Sequence, residues 1–270
     1  MFFLSPARYY AQDDDVDDMA FKAEIRSAVA NEDVEMHFQP IFSCEDGRLV
    51  AAEGLMRWDH PERGSIGPEF FVPLAERIGL VGELGRLGFK QALSWFSKSW
   101  QEFPADFRLA LNLSALQIED AEFVSWLESV VPSYDLRFDQ IELEITETAL
   151  LAESEVMKTN ISRLVELGVV IALDDFGTGQ SSLSLLKRFP IGRIKLDRSF
   201  VGGLPDCTDD AAIATAVLGL AAAMNVPIVA EGVEDEAQQA FLAERGCDEM
   251  QGFLLGRPVS GADFKVRYGR

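Results

Sequence analysis

The pair Asp46-Gly47 separates two strand-like runs, MHFQPIF (residues 36–42) and VAAEGLMRW (50–58), and is a strong hairpin signal. A connection this short has no room to cross a sheet, so the two strands must run antiparallel. Downstream the pattern changes to alternation. Residues 68–79 and 84–100 space their apolar side chains as helices do, RLALNLS (108–114) reads as a strand, 115–131 as a helix and IELEIT (141–146) as a strand. The helix expected over 152–167 ends at Gly168, which suits a left-handed C-terminal cap. VVIAL (169–173) is apolar throughout, as strands covered on both faces of a parallel sheet are. A helix over 181–188, the strand RIKLD, a helix over 209–224, VPIVAEGV, a helix over 235–245 and a last strand EMQGFLLG complete the series. Eight strands with helices between them predict an α/β fold, a TIM-like (β/α)8 barrel whose first strand is antiparallel.

A barrel of this kind takes about 250 residues, so the 270-residue chain is expected to hold one such domain over 21–270. Residues 1–20 form an N-terminal extension. Within it AQDDDVDDMA reads as a solvated acidic linker or a helix N-terminus, ahead of the helical stripe Phe21, Ile25 and Val29. Forty-five acidic against 24 basic residues give a net charge of −21, which opposes electrostatic attraction to DNA or RNA. A phosphate substrate would therefore need metal ions as mediators. Cys44, Cys207 and Cys247 lack C-x-x-C spacing and suggest neither a disulfide framework nor a zinc site. The start lacks the signature of a signal peptide, and the most apolar window, 211–230, is interrupted by Asn225 and Pro227. A cytoplasmic location without membrane insertion is expected.

In such barrels chemistry gathers where the strands end. There this chain carries Glu53, Asn112, Glu144, Asp174 with Asp175, Lys195, Glu231 and Gln251 on successive strands. A single strand-end Asn is usually a turn former, a lone Glu usually solvated, and an Asp pair usually satisfied by backbone N–H groups. Polar groups on every strand after the hairpin are hard to explain that way. Adjacent carboxylates repel unless a cation lies between them, and oxygen ligands without histidine suit a hard cation, Mg²⁺ or Mn²⁺. His37 and His60, the only histidines, read as structural.

The motifs at these strand ends are EGLMRW at Glu53, NLS at Asn112, EITE at Glu144 to Glu147, DDFGTG at Asp174, KLD at Lys195, EGVE at Glu231 to Glu234 and QGF at Gln251. Together they resemble the EAL domain, a bacterial phosphodiesterase that opens cyclic di-GMP to linear pGpG, over nearly the whole chain. The family's barrel also has a reversed first strand. The resemblance implies two divalent ions, one held by Glu53, Asn112, Glu144 and Asp174 and the other by Asp174, Asp175 and Glu231. Ca²⁺ accepts oxygen ligands but prefers longer bonds and higher coordination, so it is expected to fill the site and inhibit. It implies that Glu53, Glu231 and Lys195 serve catalysis, with Lys195 contacting the attacking water. A salt bridge from Lys195 to Asp197, two positions on, is a structural role that alternation allows at the same time.

Arg57 is the best candidate for gripping a phosphate, and Asp197 joins the substrate-binding set. Gln39 and Gln251 match positions that line the family's pocket, or are sheet-edge residues. Glu147 and Glu234 match loop-stabilising positions, though Glu147 could equally be a helix-capping acid of the turn at 148–153. Gly54 replaces the family's usual Ala, Gln180 its Tyr, and Leu116 a common Arg; none is a proposed metal ligand. The family pairs commonly into homodimers and follows sensory or GGDEF domains, so both are expected here. A non-catalytic cyclic di-GMP receptor is the alternative, but such members typically lose acidic ligands or the lysine, and this chain retains them.

Overall fold

The hairpin forms where Asp46-Gly47 requires it. In the computed structural model, which describes residues 16–152, 154–178 and 182–270, β1 (Val34–Ser43) and β2 (Leu49–His60) pair across a tight turn. Gly47 adopts φ +69°, a conformation that favours glycine, and the Asp46 carboxylate accepts from the Arg48 N–H at 3.2 Å.

Two compact units follow from the contacts. The smaller comprises Met56–Gly88 with the described residues up to Glu35. It contains α1 (Val16–Ala30), β3 (Gly64–Ile66), which pairs antiparallel with the end of β2, and α2 (Pro68–Arg77). Residues 16–20 of the acidic stretch are therefore helical rather than linker, and 1–15 lie outside the described residues. The predicted stripe is buried: Phe21, Ile25 and Val29 join Trp58, Phe71 and Leu74 in one cluster, with Phe21 stacked on Trp58 at 5.3 Å. His60 is buried there and its Nδ1 accepts from the N–H groups of Glu62 and Arg63, the structural role expected of it.

The larger unit, Met36–Leu55 with Phe89–Arg270, is the barrel. After α3 (Val81–Ser99) its elements are β4 (Arg108–Asn112), α4 (Ala115–Ile118), α5 (Phe123–Ser133), β5 (Ile141–Thr146), α6 (Glu147–Leu150), α7 (Glu155–Leu167) and β6 (Val170–Phe176). Then come α8 (Ser182–Arg188), β7 (Arg193–Leu196), α9 (Thr208–Met224), β8 (Ile228–Ala230), α10 (Glu236–Glu244), β9 (Glu249–Met250), β10 (Val259–Ser260) and α11 (Gly261–Tyr268). The order β1-β9-β8-β7-β6-β5-β4-β2, with β2 paired back to β1, closes the barrel. β1 runs antiparallel to β9, whereas β2 to β4 and each later neighbour are parallel. The reversed first strand thus follows from the turn length, as argued from the sequence.

Some boundaries differ, each for a physical reason. The helix expected over 115–131 breaks after Ile118. Asn160 on α7, 3 % exposed, donates to the carbonyls of Ile118 (2.8 Å) and Asp120 (3.1 Å), satisfying groups the helix would have used. The helix over 152–167 starts instead at Glu155, where the Ser154 hydroxyl caps it, and ends at Gly168 with φ 102° as expected. The last barrel strand stops at Met250 because the chain turns beside Val233, so closely that a Cβ on Gly252 would sit 2.0 Å from its carbonyl oxygen. β3, β10 and α11 were not expected. α11 carries Phe264, which packs edge-on against Trp95 at 5.4 Å.

Candidate active site

Four carboxylates converge on one ammonium. Because side chains alternate along a strand, Glu53 of β2, Glu144 of β5, Asp174 of β6 and Lys195 of β7 all point into the barrel, Glu53 from the middle of its long strand and the others from near their strand ends. Lys195 Nζ lies 2.5 Å from Glu231 Oε1, 2.8 Å from Glu144 Oε2, 3.5 Å from Asp174 Oδ1 and 3.7 Å from Glu53 Oε2. Glu53 is further held by two amides: Asn112 Nδ2 donates to Oε1 at 2.8 Å and Gln251 Nε2 to Oε2 at 2.7 Å. Gln251 Nε2 also donates to Gln39 Oε1 (3.0 Å), and Gln39 donates to the Gly256 carbonyl (3.0 Å). Gln39 and Gln251 are therefore buried members of the site's hydrogen-bond chain rather than sheet-edge residues.

The two aspartates diverge. β6 and β7 shift register between Leu173 and Phe176, and Asp175 takes φ 55°, in the left-handed region that Asp tolerates better than most residues. Asp174 faces Lys195, while the Asp175 N–H donates to Asp174 Oδ1 at 3.0 Å. Glu231 follows β8 and is anchored by its N–H to the Leu196 carbonyl.

Lys195 pairs with these acids and not with Asp197, contrary to the alternation argument. β7 ends at Leu196, so Asp197 has left the pleat; its carboxylate caps the next turn, accepting from the Ser199 N–H (3.0 Å) and hydroxyl (2.5 Å). Glu147 is buried at the first position of α6, beside the Thr146 cap. Glu234 is exposed, and its loop is held by a residue the sequence reading missed: buried Gln238, whose Oε1 accepts from the N–H groups of Glu234 and Asp235. Arg57 lies in the smaller unit, with Nη1 donating to the Met56 carbonyl at 2.7 Å. Gln180 lies outside the described residues. Leu116 is half exposed on α4, and at Gly54 a Cβ would come within 2.8 Å of Leu111 and Met36, which occupy the space an Ala would need.

Four carboxylates against one ammonium leave the site with excess negative charge, and proton affinities respond. Burial, reinforced by Glu53, drives Glu144 well above the ordinary carboxyl range, and burial pushes Glu231 up to about 8. Burial and then Asp174 and Asp197 raise Asp175. Burial would raise Glu53 too, but Lys195, Gln251 and Asn112 outweigh it and hold it low. Burial works against the charge on Lys195, yet Asp174, Glu144, Glu231 and Glu53 more than compensate, so its ammonium persists.

This donor set fits a hard divalent cation. All the candidate ligands are oxygens, Glu144 is buried with no partner for Oε1 and only the Lys195 ammonium at Oε2, and a cation would relieve the repulsion. Among the described residues no three acidic, His or Cys side chains are already gathered as ligands of one ion; the carboxylates are spread around the ammonium.

The EAL domain family model matches residues 22–258. The chain belongs to the EAL domain family. It is 39 % identical over 236 residues to the bifunctional diguanylate cyclase/cyclic di-GMP phosphodiesterase MucR of Pseudomonas aeruginosa, covering 87 % of this chain and 34 % of that protein. It is 36 % identical over 246 residues to the cyclic di-GMP phosphodiesterase PdeR of Escherichia coli K12, covering 91 % of this chain and 37 % of that one. The EAL chain thus spans about a third of the length of these relatives. The solved PaMucR phosphodiesterase complex with c-di-GMP superposes with a TM-score of 0.85 at 38 % identity, over 90 % of this chain and 98 % of that one.

Proposed function

We propose that this EAL domain hydrolyses cyclic di-GMP to linear 5′-pGpG with divalent-metal assistance. The observation that carries this reading is the convergence of Glu53, Glu144, Asp174 and Glu231 on Lys195, with Asn112 and Gln251 fixing Glu53. The MucR and PdeR names and the c-di-GMP complex of PaMucR supply the substrate class.

Glu53, Asn112, Glu144 and Asp174 would hold one Mg²⁺ or Mn²⁺, and Asp174, Asp175 and Glu231 a second. When bound, two such ions acidify water and neutralise charge on the phosphoryl oxygens. The chain's own residues do the rest. Lys195 presents a persistently charged ammonium at the centre of the site, where it orients the attacking water and stabilises charge growing on phosphorus oxygens. Asn112 and Gln251 hold Glu53 ionised in one rotamer. Gln39 extends that support, and Arg57 grips a phosphate. Formation of 5′-pGpG breaks the P–O3′ bond, so the substrate's phosphodiester must lie over Lys195 with O3′ directed away from the water.

The domain is taken as 21–270, with an upstream sensory or GGDEF domain in a longer protein, and it pairs as a homodimer. MucR supports the first of these, since its name carries a second activity and this chain matches a third of it. Light scattering tests the dimer. No helix among the described residues is long and apolar enough to cross a membrane.

The deciding experiment incubates purified protein with cyclic di-GMP and Mg²⁺ and resolves the products by chromatography. We expect pGpG with Mg²⁺ or Mn²⁺, and none with chelator or Ca²⁺. Tight binding without product would show a receptor instead, and full turnover in excess chelator would refute the metal assignment.

A further inference from the structure

Below the mouth, the barrel interior holds a second charged layer that the proposed chemistry does not use. Arg108 of β4, Glu142 of β5, Arg193 of β7 and Glu249 of β9 form a closed ring. Glu142 Oε2 accepts from Arg108 Nε (3.2 Å) and Arg193 Nε (2.9 Å). Glu249 Oε2 lies 2.7 Å from Arg108 Nη2 and 3.0 Å from Arg193 Nη1. Glu142, Arg193 and Glu249 are all buried, with Glu142 1 % exposed. Two guanidiniums against two carboxylates make the ring neutral.

Its placement is what matters. Three members share a strand, and by alternation a face, with a mouth residue: Glu142 with Glu144, Arg193 with Lys195, and Arg108 with Asn112; Glu249 opens β9, which ends one residue before Gln251. Two residues along a strand is a rise of about 6.6 Å. The central contact of the mouth, Lys195 to Glu144 at 2.8 Å, joins β7 to β5, which are not neighbours; β6 lies between them. The shortest backbone route between them runs through β6, and the β6–β7 ladder shifts register between Leu173 and Phe176. Besides that contact, β5 and β7 are tied directly by the Arg193–Glu142 ion pair, one layer down. A planar guanidinium bridging two carboxylates sets distance and rotation together, which a point charge does not.

We infer that Arg193 and Glu142 are positioning residues for the reaction: their ion pair holds β5 and β7 at the height and rotation at which Lys195 meets Glu144. This rests on the phosphodiesterase reading. Removing the tie should displace the ammonium from the reacting phosphoryl group while leaving the substrate's outer contacts intact.

The test compares Arg193→Met, the apolar pair Arg193→Met/Glu142→Met, and Arg193→Lys with the parent protein in one assay, measuring kcat, KM and thermal stability. Parent activity establishes the phosphodiesterase reading separately, so an inactive parent refutes that reading and not the tie. For Arg193→Met we expect kcat to fall roughly tenfold to hundredfold, as small misplacements of a reacting group do, with KM within about threefold of the parent. The apolar pair removes both buried charges, so it should regain melting temperature but not kcat, an outcome that a purely structural ring would not give. Parental kcat in folded Arg193→Met, or kcat recovered together with stability in the apolar pair, overturns the inference. Should neither fold, Arg193→Lys decides: a kcat loss at unchanged KM supports the tie, and parental kcat removes it.

Discussion

Replacing Lys195 with Met tests the centre of the site most directly. The side chain keeps its approximate length and apolar stem and loses only the charge. Lys195 is 1 % exposed, with four carboxylates within 3.7 Å. Deleting one partner of a buried ion pair costs about 3–5 kcal/mol because the remaining charge is uncompensated. Here the loss should fall at the low end, about 3 kcal/mol, because Glu144 and Glu231 already favour the protonated form and can neutralise themselves. For a domain of this size that corresponds to a fall of roughly 6–12 °C in melting temperature. Catalysis should suffer more. An ammonium that acts on charge developing in the transition state is comparable to an oxyanion-hole donor, whose loss costs about 10²–10³ in kcat. The assay is kcat in Mg²⁺ beside a binding constant for cyclic di-GMP in Ca²⁺, where turnover is not expected, with a melt to verify folding. Binding should change little while kcat collapses. Equal losses in binding and kcat/KM with kcat untouched would mean that Lys195 only holds substrate. An unchanged melting temperature would refute the electrostatic picture of the cluster.

Other outcomes follow from particular residues. Glu231 is raised from 4.5 to about 8, and Glu144 and Asp175 move the same way. Groups bound more tightly to protons in the folded state stabilise it fully below their unfolded values and lose that contribution as pH rises. The melting temperature of chelator-treated protein should therefore decline from about pH 5 to 9, and Mg²⁺ should restore more stability at the alkaline end; a flat profile would contradict the shifts. Asn160→Leu leaves the Ile118 and Asp120 carbonyls without a donor and should cost about 2 kcal/mol in a denaturant titration, with little effect on KM. Gly54→Ala introduces a Cβ against the tips of Leu111 and Met36 and should destabilise by about 1 kcal/mol with activity retained; stabilisation would show that those tips yield freely.

The barrel could be read from the sequence because its constraints are local. Turn length dictated the reversed strand, alternation dictated which residues share a face, and Gly168 dictated a helix end. The convergence of strand-end acids followed, because parallel strands in a barrel finish at one mouth. What failed needed information from across the fold. Lys195 and Asp197 are two apart, but whether the pleat continues to Asp197 depends on where β7 stops pairing with β8. The break after Ile118 depends on Asn160, 42 residues on. The lower ring obeys the alternation rule, since Glu142 precedes Glu144 and Arg193 precedes Lys195 by two, but its members lie at strand starts, away from the mouth where chemistry is expected. Gln238 gave no signal beyond a capping pattern.

The charge at the mouth bears on how substrate and cations depend on each other. Cyclic di-GMP carries two phosphodiesters, and a net charge of −21 offers it no attraction. At the site itself, Glu53 is held ionised and three more acids surround the single ammonium. A phosphate brought within about 4 Å of one uncompensated carboxylate meets a repulsion of about 4 kcal/mol at an effective dielectric of 20. Cations loaded between them would convert that repulsion into attraction, so cations and substrate are expected to bind cooperatively. Linkage then makes the coupling reciprocal: whatever factor Mg²⁺ contributes to substrate affinity, substrate contributes to Mg²⁺ affinity. Titrating Mg²⁺ into the protein with and without a non-hydrolysable cyclic di-GMP analogue should show a gain of roughly 5-fold to 150-fold, the usual range for coupled sites. Lys195→Met removes the ammonium at the centre of the four acids and should enlarge that gain. If Mg²⁺ affinity is the same with and without the analogue, the carboxylates are not the barrier to substrate, and the ions serve the chemical step alone.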